Sequence, residues 1–531
     1  MMLAMNRVRR LNDFFRAFTL FSALMWGAAN LVAQDSSVEI FTNGVVPRIR
    51  LAISPEGVAE LRVSPRQYVK AVLREGTNVW REVGVHLRGT VGSFRGIDGK
   101  PGFTVNFEKF APGQRFHGLR KIYLNNSVED ASYLNELIGN ELFRAAGQPA
   151  PLVTHAVVEL NEKPLGLYVL KEGFAEEFLA RHFRHPDGNL YDIGPGHDVN
   201  EPLTKDLGKG PDDAAELVAL TDAALEPDPV RRWQRLERTL DVDRFTSFMA
   251  MEILLGHRDG YCLARNNFRV YQDVDSGRVV FFPHGMDQLF GNPRALVEPR
   301  MNGLVARSLM EIPEGRRAYR KRCALLLTNV FQPKQIEQTI DAALLRLRPA
   351  LDNNSATALQ AEGAALKGRI AARRTELEKQ LAVPPLELLR FENGVAKLSG
   401  WQFFDFPAGG SMMQTNTSDG KRALMIRAGP VTSASWRTKV LLPRGEYRFE
   451  GSVRTASIEP LAFGKNHGAM LRVTQVPAAR PPPLLGTQPW KALQVLFEIT
   501  EREQELELVC DLRGRAGTAW FDLESLRLVQ R

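Results

Sequence analysis

The chain has 531 residues and only three cysteines, Cys262, Cys323 and Cys510. They are far apart and odd in number, so neither a disulfide framework nor a Cys-x-x-Cys metal site is encoded. Cys262 lies close behind Asp259, where a nucleophile is one reading and a small buried thiol the commoner one. After the N-terminus no apolar run approaches the ~20 residues that a spanning helix needs. Dense Lys/Arg blocks are also missing beyond the N-terminus. The net charge of +8, from 69 basic and 61 acidic residues, is a mild excess. It suits an anionic ligand or wall polymer, gives no ground for nucleic-acid binding, and is ordinarily solvated surface charge. No internal repeat is visible. What remains, 44% hydrophobic and 24% charged residues, is the composition of a globular protein of about two to four domains.

The first 33 residues read as an export signal. Arg7, Arg9, Arg10 and Arg16 precede an apolar run from Ala17 to Ala33, and Leu31-Val32-Ala33 suits a cleavage site before Gln34. An uncleaved anchor is the alternative. The expected location is secreted, periplasmic or cell-surface, with no transmembrane segment once the signal is removed.

Periodicity divides the remainder into residues 34–382, a linker at 383–390 beginning Val383-Pro384-Pro385, and an all-β region at 391–531. Val38–Phe41 and Ile49–Ile53 read as β-like runs, and Ser54-Pro55-Glu56-Gly57 as a turn. Strands follow at Tyr68–Leu73, Val79–Leu87, Phe103–Phe107 and Lys121–Leu124. Asp130-Ala131-Ser132 opens a helix that runs to Ala146, with Leu134, Leu137, Ile138 and Leu142 on one face. Val153–Leu160 and Leu165–Leu170 make a hairpin, and a helix is expected at Ala175–His182. Residues 194–213 read as a surface loop. Asp241-Val242-Asp243 caps an apolar helix, Arg244–Leu255. Phe268–Tyr271 pairs with Val279–Phe282. Residues 315–381 are mainly helical, and Glu362–Leu381 reads as a packing or spacer helix. From Phe391 onward, short alternating strands have the rhythm of a β-sandwich. Trp401, Trp436 and Trp490 are its candidate exposed aromatics for a cell-surface glycan, against the ordinary reading that they are core.

The chemistry concentrates between His257 and Gly291. His257-Arg258-Asp259-Gly260 follows the apolar helix, Asn266-Asn267 opens a strand, and Pro283-His284-Gly285-Met286-Asp287 ends the next one. Upstream, Arg88-Gly89-Thr90-Val91-Gly92-Ser93 leaves a strand as a turn able to cover an anion: glycine brings backbone N–H groups close, and arginine supplies bidentate charge. A surface hairpin turn is the plainer reading of the same residues. Phosphoryl transfer needs a carboxylate near the acceptor hydroxyl, oxygen ligands for Mg²⁺, and cations around the phosphates. Asp259 can be the first, Asn267 and Asp287 the second, and Arg88, Ser93 and Lys100 the third. The order of these parts is the order in protein kinases.

The segments LRGTVGSFRGIDGKPGFTVNFEKF, LRKIYLNNSVEDASYLNELIGNELFRAAGQPAP, LNEKPLGLYVLKEGFAEEFLARHF, NNFRVY and FFPHGMDQLFG resemble the spore-coat CotH kinase family over roughly Val83 to Leu381. The resemblance implies an α+β fold, an atypical protein-kinase-like domain followed here by the all-β region. It implies ATP and Mg²⁺ (or Mn²⁺) as cofactors and a Ser/Thr acceptor protein as partner. By the same resemblance Asp259 matches the catalytic aspartate, Asn267 and Asp287 the metal-binding positions, and Arg88 and Lys100 the basic positions of the glycine-rich region. Glu172 matches the glutamate after the hairpin, near the nucleotide. The phosphate-pairing lysine is Lys100 or Lys121, and its helix partner Glu136 or Glu141.

Two departures stand out. Many members of the family read Pro-Trp-Asp-x-Asp where this chain has Gly285 in place of the first carboxylate. Ordinary kinases also place an asparagine five residues after the catalytic aspartate, whereas here Ala264 holds that position and Asn267 comes later. Two other readings therefore stay open. His257, Asp259, His284 and Asp287 are types that hold Zn²⁺ or Mn²⁺ in a hydrolase. Alternatively, the loss at Gly285 marks a silent nucleotide-binding or surface-structural protein.

Overall fold

The computed structural model describes residues 37–531, except 385, 406–408, 463, 465–466 and 479–480, and without the side chains of 501 and 502. The expected signal segment lies outside the described residues. The chain separates into two compact units that divide at Val383/Pro384.

The first unit begins with a closed seven-stranded barrel, order β1-β2-β3-β4-β5-β7-β6. Its strands are β1 (Arg48–Ile53), β2 (Val69–Glu75), β3 (Asn78–Arg88), β4 (Gly102–Asn106), β5 (Lys121–Asn125), β6 (Val153–Leu160) and β7 (Lys163–Glu172). Every pairing is antiparallel except the closing one, in which β1 lies parallel to β6. Ile49, Leu51, Leu73, Val83, Val85, Leu87, Phe103 and Val105 fill the interior. The β6–β7 hairpin turns on Asn161 and Glu162, both at positive φ, with Leu160 opposite Lys163. Such two-residue turns match the twist of the flanking strands.

Two early expectations are corrected. Residues 37–42 are helical rather than extended. Ser54-Pro55-Glu56 does not make an isolated turn but starts a helix, Pro55–Val63, in which the Ser54 hydroxyl accepts from the Gly57 N–H and Pro55 occupies the first turn. Serine before proline is as much a helix-start signal as a turn signal.

Beyond the barrel lies a four-stranded sheet, order β11-β10-β8-β9, of β8 (Leu190–Asp192), β9 (Thr204–Leu207), β10 (Phe268–Asp273) and β11 (Arg278–Pro283). Strand β9 falls inside the stretch expected to be loop; pairing with β8 overrides its polar composition. The helix Val242–Leu254 is capped by the Asp241 carboxylate and buried from Phe245 to Leu254. Phe248, Met251, Leu254, Tyr261, Phe281 and Leu366 belong to one large core with the helices that follow. Asp352 caps a single 30-residue helix, Asn353–Ala382. That helix is more than a spacer. Arg373 is fully buried, and its guanidinium donates to the carbonyls of Ile253 (2.7 Å), Leu254 (3.2 Å) and Pro293 (3.0 Å). It thereby satisfies carbonyls left over at the end of the buried helix.

Among the described residues no helix is long and apolar enough to cross a membrane. The second unit, Pro384–Arg531, is all-β, and its longest strands, Thr432–Glu459 and Gly486–Gly514, pair along most of their lengths. Trp401 and Trp436 are buried there, as the ordinary reading of them has it and not as exposed glycan contacts, because they pack in the apolar cluster with Phe449 and Leu508. Trp490 is half-buried; its indole N–H donates to Asp419 (2.7 Å) and Lys421 and Arg454 stand over its ring.

Candidate active site

A cavity of about 470 Å³ lies between the barrel and the β8–β11 sheet. Its wall brings Arg88, Ser93 and Lys121 of the barrel region together with Asp259, Asn267 and Asp287 from a distant stretch of the chain. Each is placed by the end of an element. Arg88 closes β3, Lys121 opens β5, Asp259 follows the buried helix, Asn267 precedes β10, and Asp287 follows β11.

The barrel supplies positive charge. Arg88 is held over the Tyr123 ring (4.2 Å) and donates through Nη2 to His284 Nε2 (3.1 Å). Its Nη1 is buried and has no hydrogen-bond partner among the described residues. A buried guanidinium N–H without an acceptor costs free energy unless an anion supplies one. Ser93 shapes the loop by accepting from the Thr90 N–H (3.1 Å). Lys121 Nζ stands 3.7 Å from Asp206.

The buried lysine–glutamate pair is Lys171–Glu136, at 2.8 Å. Sequence reading did not single out Lys171. Neither Lys100 nor Lys121 reaches Glu136: Lys100 Nζ donates instead to the Tyr133 hydroxyl (2.6 Å) and does not line the cavity. Glu141, an exposed residue, is not the partner either. Burial pushes the Glu136 carboxyl up, but Lys171 and Arg88 outweigh it and leave it below its ordinary value. Glu172, expected near the nucleotide, points elsewhere: it pairs bidentately with Arg181 (2.6 and 2.7 Å) and accepts from the Leu152 N–H. It braces the barrel and does not line the cavity.

The opposite wall supplies oxygen ligands. Asp259 Oδ2 accepts from Asn267 Nδ2 (2.6 Å) and Asn266 Nδ2 (3.0 Å). The Asn267 amide oxygen then faces Gly285, which sits at φ +51°, and a Cβ at that position would collide with it. The missing carboxylate is therefore not replaced by a neighbouring acid; the asparagine amide fills its space. Asp287 is 8% exposed, and among the described residues no salt bridge reaches its carboxylate. Burial, then the nearby Glu136 and Glu129 charges, push it up to about 7. A buried acid beside other acids and aimed at a cavity is suited to a cation. One carboxylate, an amide oxygen and phosphate oxygens fit the hard-ligand preference of Mg²⁺, which takes few protein ligands.

Two further supports were not evident from sequence. Glu252 is fully buried and accepts from the backbone N–H groups of Tyr261 (2.9 Å) and Cys262 (2.8 Å), which fixes the loop carrying Asp259. Asn135 Nδ2 donates to the Asp287 carbonyl (2.7 Å), so the helix bearing Glu136 also anchors the Asp287 turn. The His/Asp tetrad does not assemble: no group of His, Cys, Asp or Glu among the described residues has a metal-holding arrangement of three. The His284 ring instead faces Arg88 and Lys171, and His257 lies against the His284 carbonyl.

Buried cations face carboxylates across a cleft, with a lysine–glutamate pair behind them, and this is the arrangement of a kinase-like site. The profile of the family described as CotH kinase protein matches residues 85–379, more than half of the chain, and the chain belongs to that family. It is 25% identical over 265 residues to inner spore coat protein H of Bacillus subtilis, covering 45% of this chain and 71% of that protein. It is 22% identical over 290 residues to spore coat protein homolog 1 of Rhizopus delemar, covering 48% of this chain and 44% of that one. Among solved structures, the Helicobacter pylori proinflammatory kinase CtkA aligns at 9% identity over 55% of this chain and 96% of its own, with a TM-score of 0.27. TmCBM61 in complex with β-1,4-galactotriose aligns at 15% identity over 26% of this chain and 92% of its own, with a TM-score of 0.19.

Proposed function

We propose that this protein is an exported kinase that transfers the γ-phosphate of ATP to a Ser or Thr of an extracytoplasmic or surface protein. The observation that carries the reading is a buried cation facing a buried acid across one cavity: Arg88 Nη1 has no acceptor among the described residues, and no salt bridge among them reaches the Asp287 carboxylate. ATP with Mg²⁺ would satisfy both. Asn267 and Asp287 would hold the Mg²⁺, whose chemistry is to neutralise charge on the phosphate oxygens. Arg88 would hold phosphate oxygens, with the buried Lys171–Glu136 pair packed behind that wall. Lys121 and the Ser93 loop would complete that wall. Asp259, immobilised by two amides through one oxygen, would orient the acceptor hydroxyl with the other and take its proton. The acceptor oxygen–phosphorus bond forms as the bond between the γ-phosphorus and its bridging oxygen breaks, and ADP leaves. The second unit would hold the kinase near a cell-surface glycan, with Trp490 as its accessible aromatic.

One observation favours a silent relative. Gly285 and the Asn267 amide occupy the place where a second carboxylate stands in many members of the family. Incubating the purified full chain with γ-labelled ATP and Mg²⁺ or Mn²⁺ decides between them. Label on protein that is lost in Asp259→Ala and Asp287→Ala supports the kinase. Nucleotide binding with no transfer selects the silent reading, and absence of nucleotide binding sinks both.

A further inference from the structure

A second cavity, of about 820 Å³, adjoins the first and shares Glu129 and Asp287 with it. Its character differs. Leu263, Leu289, Leu296 and Pro299 give it an apolar wall, and Glu362 and Arg369 also line it. Leu296 is 63% exposed, although Val297 beside it is buried. The border between the cavities is a short polar chain. Arg258 Nε donates to Gln288 Oε1 (2.7 Å), and Gln288 Nε2 donates to Glu129 Oε1 (2.8 Å). Arg258 directly precedes Asp259, and Gln288 directly follows Asp287. A segment in the apolar cavity therefore lies beside Asp287, which both cavities share, and against the Arg258–Gln288 link next to Asp259.

We propose that this second cavity seats the acceptor polypeptide and selects one with a large aliphatic or methionine side chain within a few residues of the accepting Ser or Thr. The proposal rests on the kinase reading above. Its support is continuity: the cavity opens at Asp287, and exposed apolar surface beside a reactive group marks a recognition site. The mixed charges of the lining, Glu362 and Arg369, suit the alternating N–H and C=O groups of a peptide backbone better than an ion of one sign.

The test uses the full chain, Mg²⁺, γ-labelled ATP and a serine-centred peptide library randomised on both sides of the serine. Leu, Ile or Met is expected to be enriched several-fold at one position near the serine. Leu296→Asp changes an exposed residue, so the fold should tolerate it. It should lower kcat/KM for the selected peptide by roughly tenfold through KM, with nucleotide affinity unchanged. Leu263→Asp is the second variant, with the same expected direction. Transfer without aliphatic selection, or a Leu296→Asp protein that equals wild type on the selected peptide, overturns the proposal and leaves the kinase reading standing. Fluorescence anisotropy of the labelled library separates the opposite case. Peptide binding that needs both the aliphatic residue and Leu296, without transfer, keeps the groove and removes the kinase. Absence of any peptide binding overturns the groove.

Discussion

The two walls of the cleft differ in how their charges are managed. On the barrel wall, each main cation has a neighbour: Lys171 has Glu136, Lys121 has Asp206, and Arg88 has the Tyr123 ring and His284. On the facing wall Asp259 is neutral in its contacts, held by amides, and no salt bridge reaches Asp287 among the described residues. Among these three cations the unpartnered atom is Arg88 Nη1. On the acidic wall Asp287 has no salt bridge among the described residues, and Lys171 and Arg88 act on it only through space. Ligand binding should therefore act unevenly, with metal mattering most to the acidic wall.

The largest effect should come from breaking that wall. Asp287→Asn keeps the shape and removes the charge. Phosphate transfer should fall by roughly 10³-fold, in line with the loss of a main charge-stabilising group in phosphoryl transfer. Single-turnover labelling with saturating ATP measures it. A loss below about tenfold would mean that Asp287 does not hold the metal.

Breaking the barrel wall should cost stability as well as activity. Lys171→Met leaves Glu136 buried without its cation, and removing one member of a buried pair costs about 3–5 kcal/mol. Denaturant unfolding should show that loss. The double variant Lys171→Met/Glu136→Leu should recover much of the stability but none of the transfer. Recovery of transfer would relegate the pair to a structural brace.

The asymmetry also predicts a pH effect. Asp287 and Glu252 are each raised to about 7, both chiefly by burial. Unfolded carboxyls titrate near about 4. Between those values the folded chain binds more protons than the unfolded chain, so stability falls as pH rises across that window and the full cost is present above it. Tm should drop between pH 5 and pH 8. Mg²⁺ should raise Tm more at pH 8 than at pH 5, because Asp287 is then a carboxylate. Asp287→Asn should shrink the drop and abolish the Mg²⁺ effect. Equal Mg²⁺ effects at both pH values would place the metal elsewhere.

Legibility from sequence follows the same division. The acidic wall could be read because its residues lie at element ends inside one short stretch: Asp259 after an apolar helix, Asn267 before a strand, Asp287 after its partner. The barrel wall could be read only in part. Arg88 ends a strand whose last stretch, Val83 to Arg88, places an apolar residue at every second position, and Lys121 opens one. Lys171 is different. It sits in β7 opposite Tyr123, and it meets Glu136 only once the barrel has closed and a helix has packed on it. The local signal was a lysine in the otherwise apolar run Leu167-Tyr168-Val169-Leu170, which demands a partner if buried. Arg373 carried less signal still. Several arginines and lysines share its helix, and only the fold turns that one inward to the end of the helix Val242–Leu254. The β-rich pattern of the second unit was plain, but which tryptophans it buries depended on pairing between distant strands.

Gly285 tests whether the acidic wall has room for the carboxylate it lacks. Gly285→Asp should fail to add a metal ligand. Its Cβ would collide with the Asn267 amide, and φ +51° strains any side chain other than glycine. A stability loss of about 1–3 kcal/mol is expected, with Gly285→Ala showing most of it. Isothermal titration with Mn²⁺ and ATP should find no additional metal. An extra bound ion would show that Asn267 yields and that the wall is adaptable.

The smallest effect is expected at Lys100, and it sharpens where the barrel wall ends. By sequence it was a phosphate-contacting residue. In the structure its ammonium lies outside the cavity, against the rings of Tyr133 and Tyr168, donating to the Tyr133 hydroxyl. Burial lowers it to about 8. Those contacts are structural, and losing one hydrogen bond with its cation–π neighbours costs about 1 kcal/mol. Lys100→Met should therefore lower stability slightly in denaturant and change the Kd for ATP by less than about twofold. If the Kd rose tenfold while stability held, the lysine would have to swing from the tyrosines onto the nucleotide. The barrel wall would then rearrange on binding rather than stand preformed.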